Sequence, residues 1–191
     1  MNLFYIPDGH RRYAAQTRCT LEESYREGFR VLRDEILDPL FNLPEIEEVG
    51  IFCLSNLNLD RREPNELSAF LETGQEELSK LAEHCKGYAS VRTVGTYFAK
   101  NLLISSSVGR TITFYVGTSI DDNIDCNHVD LFLRSGGQMR LSGAPRQLIG
   151  SYTELISIEK LHPELRFSDI SDCFARFDQR YFRSTDKLIA K

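Results

Sequence analysis

The stretch Val129–Ser142, VDLFLRSGGQMRLS, limits the folds open to this chain more than any other part of it. Val129-Asp130-Leu131-Phe132-Leu133 is an apolar run of strand length bounded by a turn signal. It delivers Arg134 into Ser135-Gly136-Gly137, and Arg140 and Ser142 follow at once. Two guanidiniums and two hydroxyls around a Gly-Gly turn suit an oxyanion, since arginine forks match phosphate oxygens and successive backbone amides can form an anion-binding nest. Taken alone, the stretch reads equally well as a β-turn with solvated arginines.

Two other places repeat the arrangement of a strand followed by polar residues. Asn2 to Ile6 reads as a buried strand ended by Pro7-Asp8-Gly9, and His10 to Gln16 as the first turns of a helix. A helix start offers free N–H groups and a positive dipole end, so this junction can take an anion. Asp8 could hold a divalent cation above that anion, or simply cap the helix. Val49 to Leu54 reads as a second buried strand, followed by Ser55, Asn56, Asn58, Asp60, Arg61 and Arg62.

Between these clusters the periodicity is helical. Thr20-Leu21-Glu22-Glu23 matches a capping box, and Leu21, Tyr25, Phe29, Leu32, Ile36 and Leu40 fall on one helical face. A long helix starts at Pro64 and carries Leu67, Phe70, Leu71, Leu78, Leu81 and Cys85 on its apolar side, with Gly74 marking a kink. Ser90 to Val94 and Thr111 to Val116 are further strands, joined by a connection over residues 95–110 that holds one short helix. Residues 144–150 are weakly helical, and Glu154 to Ile158 is a last strand. A final helix from near Ser168 carries Ile170, Phe174, Phe177 and Tyr181, and residues 184–191 fray.

Strands alternating with helices predict an α/β fold, a mostly parallel central sheet of about six strands flanked by helices. Parallel strands place all three polar clusters at one sheet edge, where ligands bind in such folds. That coincidence favours a working anion site over ordinary turns.

At 191 residues and 41% hydrophobic, with 12 Phe, the chain can bury one core, and a single domain over residues 1–191 is expected. No apolar run is long enough to cross a membrane. Pro7-Asp8-Gly9 cuts the first apolar run too short for a signal peptide. The five cysteines are scattered with no CxxC pair, which points to a reducing, cytoplasmic setting and away from structural zinc. A formal charge of −5 argues against a nucleic-acid binder, so any anion site is local.

The three clusters, in their order, resemble the cis-prenyltransferases, the undecaprenyl diphosphate synthase family. Asp8-Gly9-His10-Arg11-Arg12-Tyr13-Ala14 stands where that family has D-G-N-G-R-W-A. Leu54-Ser55-Asn56-Leu57-Asn58-Leu59-Asp60-Arg61-Arg62 stands for F-S-x-E-N-W-x-R-P. Asp130 to Gly143 stands for D-L-x-I-R-T-G-G-E-x-R-L-S-N, and Tyr152-Thr153-Glu154-Leu155 for Y-x-E-L. The resemblance covers nearly the whole chain. It implies a homodimeric prenyltransferase that uses Mg2+ to ionise an allylic diphosphate, which a second C5 diphosphate then attacks. The implied substrates are dimethylallyl, isopentenyl or geranyl diphosphate.

By motif position, Asp8 and Asn58 are catalytic. Gly9, His10, Arg11, Arg12 and Arg61 bind the allylic diphosphate, and Arg134, Arg140 and Ser142 bind the acceptor's. Asp8 and Glu154 hold the metal. The departures include Leu57 and Gln138 in place of glutamates, and His10 and Arg11 in place of Asn and Gly. Near the C-terminus, the family's arginine-x-glycine is matched only by Arg180 to Arg183. Divergent members of the family make short or irregular products, and some are associated with cyclisation. The expected product is therefore a short or irregular isoprenoid diphosphate, cyclised or open. The alternatives are a non-catalytic member that binds an isoprenoid or a partner, and a terpene synthase or cyclase on the same fold.

Overall fold

The structure is a computed structural model that describes residues 1–96, 103–124, 126–174 and 177. Among the described residues, seven strands form one sheet: β1 (Asn2–Ile6), β2 (Glu48–Ser55), β3 (Ser90–Val94), β4 (Leu103–Ile104), β5 (Thr111–Thr118), β6 (Val129–Ser135) and β7 (Ile149–Ile158). Their order across the sheet is β4-β3-β5-β2-β1-β6-β7. Every neighbouring pair is parallel except β3 with β4, whose two-residue pairing is antiparallel. The expected six parallel strands are present, and β4 adds a short edge.

Alternation along the strands divides the core. Leu3 and Tyr5 of β1 point to one face, with Ile51, Phe114, Leu131 and Leu133. Phe4 and Ile6 point to the other, with Phe52, Tyr115 and Phe132. The first face is covered by helices α2 (Leu21–Val31) and α5 (Pro64–Cys85), which pack on each other. The second is closed by Ala144, Leu148 and the connection before them, with Phe4 stacked on Phe132 at 5.1 Å. Both faces are thus buried, as a parallel sheet requires.

The Thr20 capping box forms, with Thr20 Oγ accepting from Glu23 N–H and the Glu23 carboxylate accepting from Thr20 N–H. The helix it starts does not stop at Val31. It continues through a π-helical segment, Leu32–Leu37, into α3 (Asp38–Phe41). The wider π turn keeps Leu32, Ile36 and Leu40, spaced by four, all buried on one side. Helix α5 runs unbroken through Gly74, which is buried.

Three other expectations are met only in part or fall partly outside the described residues. Where a short helix was expected over residues 95–110, the described part holds β4, and residues 97–102 lie outside the described residues. Residues 146–148 form only one 3-10 turn, because Ile149 already joins β7, which is longer than its apolar half suggested. The last helix is described over 167–174 and at 177. Phe174 is buried and Phe177 packs on the core, while Tyr181 and the arginines after 178 lie outside the described residues.

Candidate active site

Register carries the three clusters to one edge. Ile6 pairs with Arg134, Arg134 with Ser157, and Ser55 with Thr118, so the chain leaves β1, β2, β5 and β6 on the same side of the sheet. Two pockets of about 480 Å³ open there.

The first pocket lies between the start of helix α1 (His10–Thr17), α2 and α5. Its polar side is Asp8, Gly9, His10, Arg11, Arg12 and Arg140, and its apolar side includes Phe29, Leu32, Phe70 and Phe114. Asp8 does not cap α1. Gly9 does, at φ 118°, a conformation that an L side chain rarely adopts. The first intrahelical bond runs from Tyr13 N–H to Gly9 C=O, so the N–H groups of residues 10–12 precede the helical ladder and remain available to an anion. Arg12 crosses to the turn after β6, donating to Gly136 C=O at 2.8 Å, and stands 4.0 Å from Asp8.

The backbone of Asp8 is pinned on two sides. Its N–H donates to Ser135 Oγ at 2.8 Å, and its C=O accepts from that hydroxyl at 3.0 Å and from His162 N–H at 2.9 Å. His162 is itself buried, its Nδ1 bonded to the Tyr5 hydroxyl at 2.7 Å and its Nε2 to Gly28 C=O at 2.9 Å. Burial, with His10 nearby, pushes its pKa down to about 3. His10 packs against the Tyr25 ring at 5.0 Å, and its Nδ1 is held by Ser24 C=O at 3.1 Å. Desolvation pushes its pKa down to about 4, so the ring is neutral. Gly28 makes room for it, since a Cβ there would come within 2.2 Å of His10 Cε1.

The second pocket is lined by Ser55, Leu57, Asn58, Arg61, Thr118, Ser119, Ile120, Arg140, Ser142 and Gly143. Arg140 lines both pockets and so marks where they meet. Asn58 is in helix α4 (Asn56–Arg61) and completes a second capping box. Asn58 N–H donates to Ser55 Oγ at 3.1 Å, and its Oδ1 accepts from that hydroxyl at 2.7 Å.

Several residues stand elsewhere than their motif positions implied. Arg61 lines the second pocket, not the first, because α4 turns it away; the next residue, Arg62, takes the place in the first pocket. Its guanidinium donates to the Tyr25 hydroxyl at 3.2 Å, lies 3.3 Å from Glu66 and sits over the Phe70 ring. Arg134 is 2% exposed and lines neither pocket. It bonds to Asp8 Oδ2 at 2.5 Å, to Arg140 C=O at 2.7 Å and to Ser142 Oγ. The Gly-Gly turn is no anion nest, since Gly136 N–H donates to Lys160 C=O and Gly137 N–H to Ile158 C=O.

Glu154 pairs in register with Leu131, three positions before the Arg134 row, or roughly 10 Å back along the strand. It does not share a site with Asp8 in this chain. Among the described residues no three His, Cys, Asp or Glu side chains converge to hold a metal. Asp8, a pocket carboxylate beside the anion cradle, fits magnesium, which takes one or two carboxylates plus phosphate oxygens and water. It does not fit a metal held by protein ligands alone.

His162, Tyr25 and Glu66 belong to the site and carry no sequence motif, and Arg62 closes the second motif without having been assigned a role in it. A lone histidine and one arginine of a pair give no spacing from which to read them. Among the described residues no helix is long and apolar enough to cross a membrane.

Comparison with known proteins agrees with this architecture. The model of the undecaprenyl diphosphate synthase family matches residues 6–107. A tritrans,polycis-undecaprenyl-diphosphate synthase (geranylgeranyl-diphosphate specific) of Aeropyrum pernix is 27% identical over 205 residues, covering 92% of this chain and 93% of that one. Its counterpart in Sulfolobus acidocaldarius is also 27% identical, over 92% of this chain and 84% of its own length. Among solved structures, lavandulyl diphosphate synthase from Lavandula x intermedia, in complex with dimethylallyl diphosphate, superposes with a TM-score of 0.76. It is 19% identical, and the match covers 92% of this chain and 94% of that one, so it shows a shared fold. The chain belongs to the undecaprenyl diphosphate synthase family of prenyltransferases.

Proposed function

We propose that the chain condenses two isoprenoid diphosphates to a short or irregular prenyl diphosphate. The observation that carries this reading is the pair of pockets meeting at Arg140, each with its own arginines, of which the first is also walled by Phe29, Leu32, Phe70 and Phe114. The allylic donor lies in the first pocket, its diphosphate on the amides of residues 10–12 and on Arg12. The acceptor's diphosphate lies in the second, on Arg61, Arg140 and Ser142.

Breaking the allylic C–O bond sends charge onto the leaving diphosphate, and preorganised donors meet that charge without reorganising. Magnesium at Asp8, when bound, supplies further positive charge to the same oxygens. Phe29, Leu32, Phe70 and Phe114 keep water from the allylic cation until the acceptor's double bond attacks it, forming the C–C bond with loss of a proton. Product size follows from the wall. A cavity of 480 Å³ lies within the roughly 300–1,000 Å³ of small-ligand pockets, enough for a diphosphate and a few isoprene units. The Tyr25–Phe70 edge contact at 5.3 Å limits its depth. The working unit is a homodimer.

The test is incubation with dimethylallyl, geranyl or farnesyl diphosphate, with and without isopentenyl diphosphate and Mg2+, with products read by mass spectrometry after dephosphorylation. Products of two or three units are expected. Asp8→Asn should lower turnover about a thousandfold or more, equivalent to about 4 kcal/mol of barrier. Products of eight or more units sink the short-product claim. No product from any combination leaves the non-catalytic reading, which Leu57 and Gln138 in place of glutamates favour.

A further inference from the structure

Arg134 is the most buried charged side chain of the site, and its hydrogen bonds reach both pockets. One arm of the guanidinium bonds to Asp8 Oδ2 in the first pocket at 2.5 Å. The other bonds to Arg140 C=O and Ser142 Oγ, on two residues that line the second pocket. Its Nε is buried with no hydrogen-bond partner among the described residues. Ser142 is held at φ 56°, a conformation uncommon for serine, with its hydroxyl turned to the guanidinium.

A cation this deeply buried needs a negative partner, because an unpaired buried charge is strongly destabilising. Asp8 is the carboxylate bonded to it, and Asp8 is also within 4.0 Å of Arg12. An anion entering the second pocket meets Arg140 and Ser142, the two residues whose C=O and Oγ hold the Arg134 guanidinium. The carboxylate of the first pocket and the anion of the second therefore compete for one arginine.

We propose that Arg134 is a counter-ion shared between the pockets, a positioning residue that pairs with Asp8 when the second pocket is empty and shifts to the acceptor's diphosphate when the charge on Asp8 is neutralised. This rests on reading the second pocket as the acceptor site. Linkage makes the effect reciprocal: whatever neutralises Asp8 tightens the second pocket, and an anion there frees Asp8. A divalent cation on Asp8 acts in the same direction as removal of its charge. The order of filling is thus built into one side chain.

The test needs no metal and no turnover. Isopentenyl diphosphate lacks an allylic leaving group, so it binds without reacting. Its Kd is measured by calorimetry in EDTA for the wild-type chain and for Asp8→Asn, Glu66→Gln, Arg134→Gln and the Asp8→Asn, Arg134→Gln pair. Asp8→Asn should bind at least fivefold more tightly than wild type. Glu66→Gln, which removes a carboxylate of the first pocket that does not touch Arg134, should stay within twofold. In the Arg134→Gln background the gain from Asp8→Asn should vanish.

An unchanged or weaker Kd for Asp8→Asn overturns the proposal, and so does a gain that persists without Arg134, which is a general field effect. Should Arg134→Gln not fold, 15N-arginine spectra decide. The Arg134 Nε–H signal should shift when isopentenyl diphosphate is added to Asp8→Asn, and a fixed signal overturns the idea. A wild-type chain that binds dimethylallyl but not isopentenyl diphosphate removes the two-site reading itself. Binding without coupling removes only the shared counter-ion.

Discussion

His162 has both ring nitrogens engaged, by the Tyr5 hydroxyl and Gly28 C=O, and its N–H holds the Asp8 backbone. In the unfolded chain it titrates near 6.5, and in the fold near 3 because burial disfavours the charged ring. Between those values the unfolded chain binds the extra proton. Its contribution to stability is therefore complete above pH 6.5 and is lost as pH falls towards 3. Moving from pH 7 to pH 5 should cost about 2 kcal/mol from this group. Denaturant unfolding at the two pH values measures it, and His162→Gln should flatten the dependence; an equal slope in the variant would assign the effect to other groups. Asp8 shows a second lesson of this scale. A carboxylate beside a helix start reads as a cap, yet the cap is Gly9 and the carboxylate is bonded to an arginine 126 residues away.

In α5, Phe70 and Leu71 are neighbours with different fates. Phe70 faces the first pocket and closes on Tyr25, while Leu71 packs into the core and does not line the cavity. Helical geometry turns adjacent residues about 100° apart, so both fit the apolar side while only one reaches the pocket. Phe70→Ala should lengthen the product by one or more isoprene units with the fold intact. Leu71→Ala should leave product length alone and destabilise by about 2–4 kcal/mol. Chromatography of dephosphorylated products beside thermal unfolding separates the two, and identical product profiles for Phe70→Ala and wild type would show that Phe70 is no floor. The first pocket also depends on the π segment, which begins at Leu32 and lets the helix reach Leu40 with its apolar face still inward.

At the scale of the whole molecule, β7 is one of the two edge strands of the sheet, with Tyr152 92% and Leu155 43% exposed among the described residues. An edge strand carrying large apolar side chains invites pairing or cover by another chain. Light scattering at micromolar concentration should give twice the mass of one chain, and Tyr152→Lys with Leu155→Lys should give one; a monomeric wild type would count against the dimer. Much of this architecture could be read from residues alone. Apolar runs of strand length, a capping box and the polar residues after three strands are local signals, and parallel pairing makes the edge they share almost a consequence of the alternation. What a side chain does at that edge is not local. Whether the Gly-Gly amides are free depends on carbonyls at Ile158 and Lys160, and whether Arg134 faces a ligand depends on Asp8 across the sheet. Glu154 is carried away from Asp8 by the register of two strands, and Arg61 parts from Arg62 at the end of one short helix. The sequence by itself determined the elements and the edge where they gather chemistry, because hydrophobic period and turn residues act within a few positions. Only the tertiary structure decided which polar groups satisfy one another and which are left for a ligand, because hydrogen bonds and buried charge are settled between segments more than a hundred residues apart.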